Sequence, residues 1–296
     1  MHLETLKTFC DLVETGSFSE AGKLNFVSQS AVSQQIRVLE RRYDRRLIER
    51  RAGQLAAPTE AGRVLYAESK LILGQLRSLE QKLRQGPEIV SGTLRVATVY
   101  SLGLHALPPF VKQFLRIYPQ VNVRVEYSRT DRVYAGCLDG TIDLGLVAQP
   151  LRRAQIEVIP LRPEALVVVC SPEHRLSRRR EVPLSLLSGE PFVAFDRGVP
   201  TRRVVDRLLK EQGVPVRIVT EFDNIETIKR SVEAGLGVSI LPENTVRNEA
   251  RAKTLVAIAP SGGIYTRSVG LIHRKGRELT ATARAFVELL AAGLGP

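Results

Sequence analysis

Gln29, Ser30, Ser33, Gln34 and Arg37 recur at spacings that place them along one side of a helix. Each carries a group that can address a nucleic-acid base edge: a Gln amide bonds adenine bidentately, a Ser hydroxyl bonds either base type, and an Arg guanidinium matches guanine O6 and N7. Val32, Ile36 and Leu39 fall on the opposite side at i, i+4 and i+7, the stripe that a helix buries. The run RVLERRYDRRLIERR, Arg37 to Arg51, follows directly and holds seven arginines among Glu40, Asp44 and Glu49. Arg50 and Arg51 are placed to meet phosphate, a contact that positions a protein without carrying sequence information. A solvated helix end with internal ion pairs is the competing reading of the same run.

Short elements must hold that face in place. Leu3, Leu6, Phe9, Cys10, Leu12 and Val13 recur at helical spacing and predict a first helix that stops near Thr15-Gly16, where glycine can take the left-handed cap. SFSE then reads as a capping box, with the Ser17 hydroxyl accepting from the third amide of a second helix and Glu20 reaching back. Asn25 is expected to supply the positive φ of the turn into a third helix, capped by Ser28. Ser17 and Ser28 also sit at helix starts, where amides and partial positive charge suit a phosphate. RRAGQLAAP reads as a loop or small β-turn able to act as a wing, after which Thr59 caps a helix running to about Gln85. On it Leu65, Ile72, Leu76, Leu79 and Leu83 are spaced 7, 4, 3 and 4, close to a heptad seam for a partner copy.

QGPEIVSG is a linker, and beyond it the texture changes. TLRVATV, VNVRVEY and TIDLGLVA alternate with helix-like stretches at 106–117 and 132–138. A second set starts at ALVVVC and runs through PFVAF, VVDRLLKEQG, VRIVTEF, IETIKRSVEAG, VSILP and TLVAI. YTRSVGLIHR and ELTATARAFVELL close the chain as a strand and a helix. The fold class is α/β: an all-α winged helix-turn-helix, a long helix, then two lobes, each a parallel sheet with helices on its faces.

The 296 residues are 44% hydrophobic, enough for several cores. The net charge of +12 points to an anionic partner, although residues 1–86 hold only 14 Lys and Arg against 10 Asp and Glu, so local arginine placement is the stronger signal. Three distant cysteines support neither a disulfide framework nor a zinc site, and the four histidines lack metal spacing. No nucleophile elbow is present, and GLGVSI lacks the third glycine of a dinucleotide loop, so no enzyme, metal or cofactor is expected. The N-terminus lacks a signal-peptide core and no apolar run reaches a membrane span, so a cytoplasmic protein is expected.

The stretch LKTFCDLVETGSFSEAGKLNFVSQSAVSQQIRVLERRYDRRLIERR, with PTEAG after it, resembles the N-terminal winged helix-turn-helix of the LysR-type transcriptional regulators, and the order of parts is similar over essentially the whole chain. Gly22 stands where that pattern usually has Ala, a change costing a helix interior about 1 kcal/mol. Ser30 replaces a frequent Pro, and LIER replaces LFER. The resemblance implies a DNA-binding domain at 1–58, a dimerisation helix at 59–86, a hinge at 87–92, and an effector domain resembling type II periplasmic binding proteins. Its first lobe would be 93–162 with 268–296, its second 163–267. It further implies double-stranded promoter DNA as partner, dimers through 59–85, tetramers, and a small-molecule effector in the cleft. By the same carry-over the effector would meet Tyr100, Ser101, Ser128, Arg129, Thr130 and Gln149 from the first lobe. From the second it would meet Phe195, Arg197, Thr201, Arg202 and Asn224, with Arg129, Arg197 and Arg202 suited to an anion. The rivals are a solute-binding protein and an enzyme that uses the cleft.

Overall fold

The computed structural model describes residues 2–49, 55–84 and 90–294. The chain forms two compact units, one made by residues 1–87 with 139–141 and the other by 88–138 with 142–296.

In the first unit, α1 (Leu3–Thr15), α2 (Phe18–Leu24) and α3 (Gln29–Tyr43) are followed by a two-stranded wing, β1 (Ile48–Glu49) antiparallel to β2 (Ala57–Pro58), and by α4 (Glu60–Arg84). Phe9 and Leu12 of α1, Ala21 of α2 and the Val32-Ile36-Leu39 stripe of α3 close one core, which Leu47 and Ile48 join from the wing. Gly16 ends α1 at φ 63, its amide on the Leu12 carbonyl. Thr59 accepts from the Gly62 amide, which fixes the start of α4. Leu65 and Tyr66 pack on the core, whereas Ile72 and Leu79, further along the seam, are exposed.

The turn from α2 to α3 corrects one expectation. Asn25 keeps φ −108 and it is Phe26 that adopts φ 55. Asn25 is held otherwise, because its side-chain amide donates to Asp11 Oδ2 at 2.7 Å and to the Ala21 carbonyl at 2.9 Å, which ties the end of α2 to α1. Gly22 has a local reason as well: a Cβ there would lie 2.7 Å from the Val27 carbonyl oxygen.

The second unit runs β3 (Gly92–Thr98), α5 (Tyr100–Gly103), α6 (Pro108–Ile117), β4 (Val121–Tyr127), α7 (Thr130–Asp139), β5 (Leu144–Ala148) and the 15-residue β6 (Ile156–Cys170). β7 (Glu181–Val182), β8 (Pro191–Phe195), α8 (Pro200–Glu211), β9 (Arg217–Phe222), α9 (Ile225–Glu233), β10 (Ser239–Pro242) and α10 (Arg247–Ala252) follow. β11 (Val256–Pro260), β12 (Thr266–Arg274) and α11 (Ala281–Leu294) complete it.

Two lobes result. In the first, β4, β3 and β5 are parallel and β12 joins β5 antiparallel. Alternate side chains face opposite ways, so Leu94, Val96, Leu144 and Leu146 pack under Phe114 and Phe286, while Ala97, Val147 and Ile272 pack under Val133 and Tyr134. In the second, the end of β6 pairs antiparallel with β10 and β11, and the parallel pair β8 and β9 attaches through Val238. Leu166, Val168 and Cys170 meet Val205 and Leu208 of α8, whereas Val167 and Val169 meet Ile225 and Ile228 of α9.

The sheet is therefore mixed and not purely parallel, because β6 runs through both lobes and β12 returns against it. Its first half, IEVIPLRPE, does not read as a strand, since Pro160 and Pro163 each remove a ladder donor. Cys10, Cys137 and Cys170 are all buried, and burial pushes the Cys170 thiol up to about 11. Among the described residues no helix is long and apolar enough to cross a membrane, and no cluster of His, Cys, Asp or Glu side chains could hold a metal ion.

Candidate functional site

α3 separates its residues by face. Val32, Ile36 and Leu39 are buried, while Ser28, Gln29, Ser30, Gln34 and Arg37 are exposed and Ser33 is half-buried. Ser28 accepts from the Ala31 amide at 3.2 Å and lies 2.9 Å from the Ser30 hydroxyl, so the cap and the face are coupled. Ser17 caps α2 on the Glu20 amide at 3.3 Å, but the Glu20 carboxylate pairs with Lys23 at 2.7 Å and does not complete the reciprocal capping box.

Past the middle of α3 and in the turn after it, Gln34, Arg37, Arg41, Arg45 and Arg46 line one open concavity together with Glu40 and Asp44. None of these four arginines, nor Arg42, is paired with a described carboxylate. Glu40 instead accepts from the Leu47 and Ile48 amides at 2.9 and 3.4 Å and so anchors the wing. The ion-paired alternative for this run therefore does not describe these arginines. Arg50 and Arg51 lie outside the described residues, as do Gly86 to Ile89 of the linker region.

In the second unit a cavity of about 50 Å³ opens between the lobes. It brings together seven of the eleven residues expected there: Tyr100, Ser101, Ser128, Arg129 and Thr130 from the first lobe, Phe195 and Thr201 from the second. α7 and α8 begin at its wall, with Pro200 opening α8 and the Arg202 amide bonded back to the Val199 carbonyl at 3.0 Å. Tyr100 stacks on Tyr127 with ring centroids 5.9 Å apart. Arg129 stands at the mouth between Asp196 and Asp223, at 3.6 and 3.7 Å, and Gly198 leaves it room, since a Cβ there would be 2.6 Å from Nη2. Elsewhere the lobes are joined by His105 and Glu226 at 2.7 Å. Burial disfavours the Glu226 carboxylate, but hydrogen bonds and charge from Lys229 and His105 outweigh that and hold its pKa below the ordinary range.

Four expected residues are not among the lining. Arg202 is buried and donates to Asp206, Glu221 and the Phe195 carbonyl, so its guanidinium stabilises the second lobe and has no face toward the cavity. Asn224 caps α9 on the Glu226 amide at 2.8 Å. Arg197 is an exposed loop residue. Gln149 follows the lining residue Ala148 at φ 51, its amide bonded to the Ser268 carbonyl.

Sequence reasoning missed the most buried cation at this place. Arg267, 1% exposed, donates to Thr201 Oγ1 at 2.8 Å, to Ser101 Oγ at 3.0 Å and to Glu164 Oε2 at 2.6 and 2.8 Å. Arg267 and Glu164 are cross-strand partners on β12 and β6, beside a register shift between Arg267 and Val269. The available signal was period: Arg267 occupies the inward phase of YTRSVGLIHR, where a charge requires a partner.

Comparisons with known proteins agree with this architecture. Residues 3–63 match the family model of the bacterial regulatory helix-turn-helix protein, lysR family, and residues 88–295 match the LysR substrate binding domain. The RuBisCO operon transcriptional regulator of Allochromatium vinosum is 29% identical over 288 residues, covering 97% of this chain and 95% of that protein. The transcriptional activator CmpR of Synechocystis is 26% identical over 290 residues, covering 98% and 95%. Among solved structures, a variant of full-length OxyR from Pseudomonas aeruginosa aligns with a TM-score of 0.78 at 24% identity, covering 99% of this chain and 94% of that one. The LysR family transcriptional regulator CbnR aligns at 0.76 and 24%, covering 99% of both. With a helix-turn-helix whose described arginines from Arg37 to Arg46 meet no described carboxylate, and a two-lobed unit built around a cleft, the chain belongs to the LysR family of transcriptional regulators.

Proposed function

We propose that α3 enters the DNA major groove, with Gln29, Ser30, Ser33, Gln34 and Arg37 addressing base edges and Arg41, Arg45 and Arg46 meeting phosphates. The observation that carries this is the segregation on α3: a buried apolar stripe, and opposite it exposed polar side chains that run into unpaired arginines. Ser17 and Ser28, together with Arg50 and Arg51, are proposed phosphate contacts. CbnR has been solved in complex with its target DNA, which supports the same use of the fold here.

The domain division follows from this reading: DNA binding at 1–58, dimerisation through 59–86, a hinge at 87–92, and lobes 93–162 with 268–296 and 163–267. Exposed Ile72 and Leu79 on α4 support pairing with a second copy, and tetramers are expected. The protein acts on DNA in the cytoplasm and its cleft binds without turnover. The cleft takes a small molecule with acceptor oxygens, an anion; the CcmR regulatory domain from Synechocystis, of similar fold, has been solved in complex with 2-PG. A ligand that prefers one lobe arrangement shifts that population and thereby the spacing of the paired DNA-binding units. Footprinting of the upstream region, with and without a panel of small organic and inorganic anions, tests this. One anion should shorten or shift the protected tract, whereas a tract unchanged by every anion contradicts the ligand part.

A further inference from the structure

Ser101 and Thr201 come from opposite lobes, and both hydroxyl oxygens accept from the one Arg267 guanidinium, at 3.0 and 2.8 Å. Neither hydroxyl donates to a described residue, and both line the cavity. A hydroxyl whose oxygen is held as an acceptor directs its own proton away from that donor. Here the direction left is the cavity. Glu164, 14% exposed and hydrogen-bonded twice to Arg267, compensates the buried cation, so the guanidinium presents little net charge to a ligand.

We propose that Arg267 is a positioning residue for ligand recognition: it aims the Ser101 and Thr201 hydroxyl protons into the cleft from both lobes, and Glu164 cancels its charge. At this point the cleft then reads an oxyanion through two polarised hydroxyl donors and not through an ion pair with Arg267, while Arg129 stays at the mouth between Asp196 and Asp223. The inference rests on the reading of the cleft as a small-anion site. It also explains how occupancy reaches the lobe arrangement, since one ligand oxygen gripped by both hydroxyls closes a ring through the guanidinium that is held on the antiparallel pair β6 and β12. Arg267 faces inward by the two-residue period it shares with Val269 and Leu271 on β12, and the extra residue of the register shift lies on β6 opposite.

The test titrates full-length protein with sulfate, inorganic phosphate and glycolate by calorimetry. Wild type, Ser101→Ala, Thr201→Val, Arg267→Lys, Glu164→Gln and the pairwise combinations are compared. Each hydroxyl deletion should weaken the anion bound by wild type about tenfold. Arg267→Lys should weaken it at least as much, and should add little on top of either hydroxyl deletion, because a positioning group acts through them. Glu164→Gln exposes the guanidinium charge and should tighten binding while making it more sensitive to salt, an outcome that a merely structural pair would not give. Wild-type affinity in Arg267→Lys, additive losses in the cycle, or weaker binding in Glu164→Gln overturns the role of Arg267. If Arg267→Lys does not fold, the Glu164→Gln arm and the coupling between the two hydroxyl deletions decide; additive hydroxyl losses overturn the proposal. Failure of wild type to bind any of the three anions overturns the small-anion reading itself, and with it this proposal, which separates the two failures.

Discussion

The arginines that run from α3 into the turn after it and those buried in the effector unit are the same residue type in opposite electrostatic situations. Arg37, Arg41, Arg45 and Arg46 are exposed and meet no described carboxylate, while Arg202 and Arg267 are buried and each held by carboxylates. An exposed, unpaired guanidinium keeps its long-range field for a polyanion. A buried, paired one contributes shape, hydrogen-bond direction and stability, with little field left over. The net charge of +12 does not distinguish these uses. Pairing does.

The contrast is broken most severely at Arg202. Arg202→Ala leaves Glu221 and the Phe195 carbonyl without their donor, and the expected loss is about 2 to 3 kcal/mol, discounted from a fully buried pair because Asp206 and Glu221 are partly exposed. Urea denaturation of the effector unit should report that loss, while the salt dependence of DNA binding stays unchanged. On the other side, Gly22→Ala places a methyl 2.7 Å from the Val27 carbonyl and should destabilise the DNA-binding unit by about 1 to 2 kcal/mol, despite the better helix propensity of Ala. A thermal melt that rises would show instead that the turn relaxes.

The smallest effect sharpens the comparison through pH. The Glu226 carboxyl is held below its ordinary range, so its contribution is present above the unfolded carboxylate pKa and is lost as pH falls through the lower folded value. Glu226→Gln should therefore flatten the acid side of the stability curve of the effector unit, by about 1 kcal/mol or less for this partly exposed group. Parallel curves for the two proteins would remove Glu226 from the acid response.

Much of the DNA-facing unit was legible because its determinants are local. A 3.6-residue stripe, two serine caps and a Gly cap lie within a few residues of what they control. The turn was less so: Asn25 has the residue type for positive φ, but Asp11 on another helix recruits its amide, and Phe26 takes the strained position. In the effector unit the strand β6 was read only from its apolar half, since Pro160 and Pro163 obscure the rest. Arg202 and Arg267 show the limit most clearly. Asp206, four residues on, already offered Arg202 a helix-face partner. Glu164 lies far from Arg267 in sequence and is opposite it only because β6 and β12 pair antiparallel in that register.

The proposed separation of base reading from phosphate contact, along α3 and the turn after it, is open to direct measurement on DNA. Affinities of wild type, Gln34→Ala and Arg45→Ala for one footprinted operator and for random DNA, measured across a salt series, decide it. Gln34→Ala should lower the operator-to-random ratio by about tenfold with the salt slope retained. Arg45→Ala should weaken both DNAs alike and reduce the slope by about 0.9 per protomer. An unchanged ratio in Gln34→Ala together with an unchanged slope in Arg45→Ala would contradict the assignment of this face to DNA.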